Sequence, residues 1–257
     1  KGNLSDFLNS AAVSGPTRVN VTGQGICYTA PIELENKQVQ LNFDTPSGAA
    51  PLIVELKLLP STGKARSRDS RSAGVDSFIV LKNSTLAIQG GKFRISADRK
   101  GVVPRNFVSL QNSQLALEDS ALDALLLNDK RFQSVVQVGG GTGNQPNQVL
   151  LSRTYLSTSG TVVNSEATQL DLEVSGSLLL SQNDLFALAV KPSSSPQVRV
   201  SLNQSTLAPR DSVLAFKESD GSQSTGTAAR VLAEECLFLP VPAASGGRSD
   251  SSRSASL

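Results

Sequence analysis

The 257-residue chain contains no His, no Met and no Trp, and only two Tyr and two Cys. Without His, Ser-His-Asp and Cys-His nucleophile arrangements are excluded, as are zinc sites built on imidazole. Charged residues make up 18% and aromatics 4% of the chain, too few for a charge-laced helical bundle. The formal net charge of +2 and the lack of any basic-plus-aromatic pattern argue against a nucleic-acid partner. No apolar run approaches the roughly 20 residues that a spanning helix needs, so no membrane insertion by this segment is expected. The missing Met, absent even at position 1, reads as the mark of a piece excised from a larger multidomain protein, and a bacterial one is expected.

What is present is Ser, Leu, Val, Ala, Asn and Gln, arranged as short alternating runs between polar turns, the composition of an all-β chain. Residues 3–12 (NLSDFLNSAA) place Leu4, Phe7, Leu8, Ala11 and Ala12 on one helical face, with Ser5 or Asn3 as N-cap. Four strands follow in TRVNVTG, PIELEN, QVQLNFD and PLIVELKLL.

A repeat is then legible. Leucines 86, 115, 156, 178, 207 and 237 serve as anchors, and five of the six have a Leu five residues earlier, at 81, 110, 151, 202 and 232. Leu178 has Leu172 six residues before it, the signature of one bulge residue. Seven residues after the first five anchors stand Phe93, Leu122, Val163, Leu185 and Leu214, the start of a second strand. Anchor spacings of 29, 41, 22, 29 and 30 differ only by polar or Gly-rich segments, which describes a solenoid of about seven or eight coils. The spacing is too short for four-stranded propeller blades and lacks the helical half of leucine-rich repeats. The solenoid is assigned to residues 1–241, and the Ser/Gly-rich residues 242–257 to a disordered tail or linker.

An N-terminal helix, then TRVNVTGQGICYTAPIELENKQVQLNFD, then coils of the type IVLKNSTLAIQGGKFRIS, resemble the pectin-lyase-like superfamily over about residues 3–241. The resemblance implies a right-handed, single-stranded parallel β-helix whose short N-terminal helix shields the first coil's open strand edges. It also implies where chemistry would lie. Hydrolases of that superfamily use an aspartate cluster, a His and an Arg-x-Lys element; here FRIS around Arg94 lacks the Lys and there is no His. Its lyases use carboxylates from adjacent coils to bind calcium, with an Arg as base. Calcium takes six to eight oxygens, and Glu118, Asp119, Asp123, Asp129, Asp171, Glu173 and Asp184 are the candidates, beside Lys130 and Arg131. Their scattered offsets from the anchors read as solvated rung edges, so no metal site and no cofactor is assigned, calcium remaining the one alternative. Asp123, Asp129, Lys130 and Arg131 are the ligand-binding candidates, and no catalytic residue is named.

Other features read structurally. VGGGTGNQ (138–145) follows a strand but leads through Pro146 into another, unlike a phosphate loop. KARSRDSRSAG (64–74) reads as a solvated basic loop. The N-x-[ST] triplets at Asn3, Asn20, Asn83 and Asn203 are ascribed to composition, and Asn83 and Asn112, at one repeat offset, to left-handed turns or stacked amides. Cys27 falls in one of the first coils and Cys236 in the last, on the order of 30 Å apart at about 4.8 Å per coil, so two reduced thiols are expected. The functional expectation is a monomeric, non-catalytic scaffold or recognition module for a carbohydrate or protein partner, at a cell surface or in a periplasm. The alternative is a polysaccharide lyase or glycoside hydrolase of the same superfamily.

Overall fold

A computed structural model describes residues 4–10, 15–45, 48–56, 76–95, 103–125, 132–140, 146–191, 197–218 and 229–240. The chain visits three sheets in rotation, and every strand pair is parallel. The first sheet holds Thr17–Thr22, Gln38–Asp44, Thr85–Gln89, Gln114–Glu118, Asn147–Ser152, Leu170–Ser175, Val198–Asn203 and Ala229–Glu234. The second holds Gly25–Thr29, Leu52–Leu56, Lys92–Ile95, Ala121–Ala124, Tyr155–Thr158, Leu178–Ser181, Thr206–Pro209 and Leu237–Phe238. The third holds Ile32–Glu35, Ser77–Lys82, Asn106–Gln111, Ser134–Val138, Thr161–Ser165, Phe186–Val190 and Leu214–Glu218. Three parallel sheets fed in rotation are the arrangement of a parallel β-helix, of which the described residues make seven complete turns and the start of an eighth. Among the described residues no helix is long and apolar enough to cross a membrane.

Alternation along each strand sends every second side chain inward, and parallel register stacks like upon like. Val39, Leu86, Leu115, Val149, Leu172 and Val200 form one buried column of the first sheet. Val54, Phe93, Leu122, Leu156, Leu179 and Leu207 form its counterpart in the second. Each such side chain contributes about 1.5–3 kcal/mol relative to exposure.

The corners explain the repeat. Between the third and first sheets, Asn36, Asn83 and Asn112 have φ of 54°, 48° and 50°. Between the first and second, Gly90, Asp119, Arg153, Gly176, Gln204 and Glu235 have φ between 47° and 74°. A left-handed residue costs a non-Gly side chain about 1–2 kcal/mol. The chain recovers this because the corner amide still joins the ladder: Asn83 donates to Gln111 O at 3.0 Å and Arg153 to Ser175 O at 2.8 Å. The Asn reading therefore holds in both its forms, since Asn112 Nδ2 also donates to Asn83 Oδ1 at 3.4 Å.

One five-residue spacing serves both corners, and that corrects the sequence alignment. Leu86 and Leu115 lie in the first sheet, whereas Leu156, Leu178, Leu207 and Leu237 lie in the second. From the fourth coil on, longer connections (139–146, 166–169, 191–197 and 219–228) replace the tight third-to-first corner, so the motif that continues is the other corner. No bulge is needed at Leu178: it faces outward, 36% exposed, and the inward pair Val174 and Leu179 keeps the five-residue spacing. Leu232 and Leu237 likewise face outward, and their neighbours Ala233 and Phe238 continue the core columns.

The helix spans Leu4–Asn9, shorter than expected, and Ser5 lies inside it. Leu8 is buried in the core and Leu4 packs against it, whereas Phe7, expected on the same face, is 47% exposed. Asn9 accepts from Glu33 N at 2.8 Å and donates to Pro31 O, tying the helix to the first strand of the third sheet. Lys37 Nζ donates to Leu8 O and Ser10 O, satisfying carbonyls at the helix C-terminus where a cation is favoured. A fifth early strand, Gly25–Thr29, was not anticipated: its large residues Ile26 and Tyr28 face out while Cys27 faces in.

Candidate functional site

The acidic candidates occupy four separate places. Asp123 lies on the outer face of the second sheet, in register between Arg94 and Ser157, and accepts from Leu125 N at 3.3 Å. Asp184 sits beyond strand Leu178–Ser181 and accepts from the Ser212 hydroxyl. Asp171 and Glu173 share the outer face of the first sheet. Glu118 and Asp119 sit at a corner. Asp129, Lys130 and Arg131, the basic segment 64–74 and the core of the Gly-rich loop, 141–145, lie outside the described residues. Among the described residues no group of three or more His, Cys, Asp or Glu is placed to hold a metal ion.

Among the described residues polar groups come together in several recesses, one of them beside the helix between Glu33, Glu35, Lys37 and Lys82; two others lie on the later coils. The first, about 500 Å³, lies on the outer face of the first sheet across its last four coils, where Asp171, Glu173, Arg199 and Arg230 surround Leu150 and Leu232. Register alone builds it: Gln148, Asp171, Arg199 and Arg230 form one outward row. Arg199 Nη1 stands 3.8 Å from Asp171 Oδ1, a loose, solvent-exposed pair worth at most about 1 kcal/mol.

The second recess, about 470 Å³, cuts into the corner between the first and second sheets. The left-handed corner residues stack coil upon coil as Asp119, Arg153, Gly176 and Gln204. Gly176 alone among these four lacks a side chain, so the row has a notch between Arg153 and Gln204. Its other wall is the outer row Tyr155, Leu178 and Thr206 of the second sheet, with Tyr155 40% and Leu178 36% exposed. The polar groups are held in place. Arg153 Nε and Nη2 bind Asp119 at 2.7 and 2.9 Å, and Nη2 also reaches Glu118. Gln204 Nε2 donates to Glu235 Oε2 at 2.8 Å.

The electrostatics follow from these bonds. The Arg153 hydrogen bonds hold the Asp119 carboxyl below the usual carboxylate range, and the two carboxylates push the Arg153 guanidinium above its ordinary value. Both groups stay charged through the neutral range, the reverse of what a base built on Arg153 would need. Two carboxylates, Asp119 and Glu118, bind the one guanidinium, and Glu235 lies further along the same row on Gln204, so carboxylates outnumber cations along this corner and disfavour anions there.

No family model matches the chain, and neither the curated proteins nor the solved structures yield a match. The geometry therefore carries the functional argument. Sequence reasoning singled out none of Tyr155, Arg153, Gly176 and Gln204. The available signal was the corner dipeptide, a left-handed residue followed by Ser or Thr at 119, 153, 176 and 204.

Proposed function

We propose that the chain is a non-catalytic recognition module that binds a neutral carbohydrate at the Gly176 notch. The observation that carries this reading is the notch itself. An exposed aromatic ring stands beside fixed hydrogen-bonding groups in a recess opened by a missing side chain. A sugar's apolar C–H face is suited to the Tyr155 ring and its hydroxyls to Arg153, Asp119 and Gln204, the division of labour of small-ligand sites generally. The surplus of carboxylates disfavours acidic polysaccharides. The pairing of Arg153 with two carboxylates supports recognition over catalysis, since its donors are fixed and its proton is held.

On the same reading the solenoid winds right-handed, as in the pectin-lyase-like superfamily, and helix Leu4–Asn9 shields the open edge of the first coil through the Leu8 and Asn9 contacts. A cell-surface or periplasmic setting suits a glycan-binding solenoid.

A second reading, a polysaccharide lyase or hydrolase, draws on Asp171 and Glu173 facing Arg199 and Arg230 in the first-sheet recess. Affinity electrophoresis through neutral and acidic polysaccharides, with product analysis with and without calcium, separates the two. Retardation by neutral polysaccharide without bond cleavage is expected. Release of unsaturated or reducing ends would contradict the recognition reading, and the absence of any retardation would remove it.

A further inference from the structure

At the end opposite the helix the core opens. Val231, Leu232, Leu237, Phe238 and Leu239 are 41–54% exposed, and Phe216, in the last strand of the third sheet, is 47% exposed. Among the described residues strand Ala229–Glu234 is the edge of its sheet and pairs only with Val198–Asn203, so no described strand pairs with the backbone groups of its other side, which lie over an apolar floor. Such an edge is a template for a further strand. Residues 241–257 (VPAASGGRSDSSRSASL) offer no alternating apolar run with which to supply one.

We propose that a second copy of this chain covers this end, its edge strand pairing antiparallel with Ala229–Glu234 about a two-fold axis. Opposed residues of an antiparallel pair face the same side, so inward Val231 and Ala233 must meet inward residues and outward Arg230, Leu232 and Glu234 outward ones. Only registers in which the opposed numbers sum to an even value satisfy this. Among them, the one centred on Leu232 sets Leu232 against Leu232 of the second copy, Val231 against its Ala233, and Arg230 against its Glu234. The two-fold makes that charge pair twice. The neighbouring registers, centred on Val231 or Ala233, set Leu232 against Arg230 or Glu234 instead and lose both pairs. Among the described residues neither Arg230 nor Glu234 has an ion-pair partner, and both are exposed. The strand is thus self-complementary in charge and in facing, as an isologous interface requires. The same axis reverses the order of the sheets, setting the end of the second sheet over the end of the third and bringing Phe238 toward Phe216 of the second copy.

Sedimentation velocity of the 257-residue chain over a concentration series tests this. The wild type is expected to dimerise, Arg230→Glu and Glu234→Arg each to weaken the dimer about tenfold or more, and the double exchange to restore it. In a Cys27→Ser, Cys236→Ser background, Leu232→Cys is expected to cross-link with itself on mild oxidation, because opposed positions lie about 5 Å apart between Cβ atoms, while Leu237→Cys is not. Circular dichroism confirms folding of each variant. A monomer at about 100 μM, a dimer indifferent to both charge reversals, or one that the double exchange fails to restore would overturn the proposal.

Discussion

The backbone amide of Ser84 donates to the hydroxyl of Ser113, one coil further along, at 3.1 Å. Ser113 Oγ in turn donates to Gln111 O at 2.7 Å, and its own amide donates to Asn147 Oδ1 at 3.0 Å. The first-to-second corner repeats the device with Ser177 and Ser205, joined at 3.1 Å. A two-residue corner thus keeps its buried polar groups paired by lending each hydroxyl to its neighbour. Ser113→Ala strands the Ser84 amide and is expected to cost about 1–3 kcal/mol, seen as a lower urea midpoint with an unchanged slope. Ser113→Thr keeps the hydroxyl and should lose less. Equal losses in the two variants would argue that packing, not the hydrogen bond, sets the cost.

Two corner glycines should respond differently to the same change. A Cβ on Gly90 would meet Phe43 O at 2.7 Å at φ +74°, whereas on Gly176 it would find Arg153 Cγ at an ordinary 3.5 Å at φ +55°. The Gly176 row already carries Arg, Gln and Glu with similar φ. Gly176→Gln is therefore expected to fold with a loss of about 1–2 kcal/mol, the cost of the left-handed conformation, while Gly90→Gln adds a backbone clash and loses more. Thermal denaturation of the two variants reads the difference.

The Arg153 bonds make the Asp119 contribution depend on pH with a definite sign. A carboxyl whose folded pKa is depressed stabilises the fold above its unfolded value, about 3.9, and loses that contribution as pH falls through the folded value. Arg153→Gln, which suits the left-handed corner as Gln204 does, should bring Asp119 back toward 3.9 in an NMR titration. The stability gap between wild type and variant should close in acid. Both groups are solvent-exposed, so raising the salt should narrow the gap as well.

Cys27 lies in the first coil and Cys236 at the last corner, and the two thiols are free. Burial pushes the Cys27 thiol up. Both should titrate with a thiol reagent in the folded chain, and Cys27 should react more slowly than it does after unfolding. A chain with no reactive thiol would contradict the order of the coils.

The strand alternation and the corners at Asn83 and Asn112 were legible because each is local: a period of two, and a residue type that tolerates positive φ. The register beyond Leu115 was not, since LQNSQL and LSRTYL look alike while turning different corners. Gly25–Thr29 was hidden because Ile26 and Tyr28 face solvent. The notch could not be read in advance for another reason. Tyr155, Gly176 and Gln204 are distant in sequence, and only the coil register, which depends on loop lengths, brings them together.

The chain has no Trp and two Tyr, so in Tyr28→Phe protein all tyrosine emission comes from Tyr155. Titrating that protein with cellohexaose, xylohexaose, mannohexaose and, as the acidic control, trigalacturonate reads the notch directly. A saturable change with a neutral oligosaccharide, absent with trigalacturonate and abolished by Gly176→Gln, is the predicted result. Binding that survives Gly176→Gln, or that favours trigalacturonate, would contradict it.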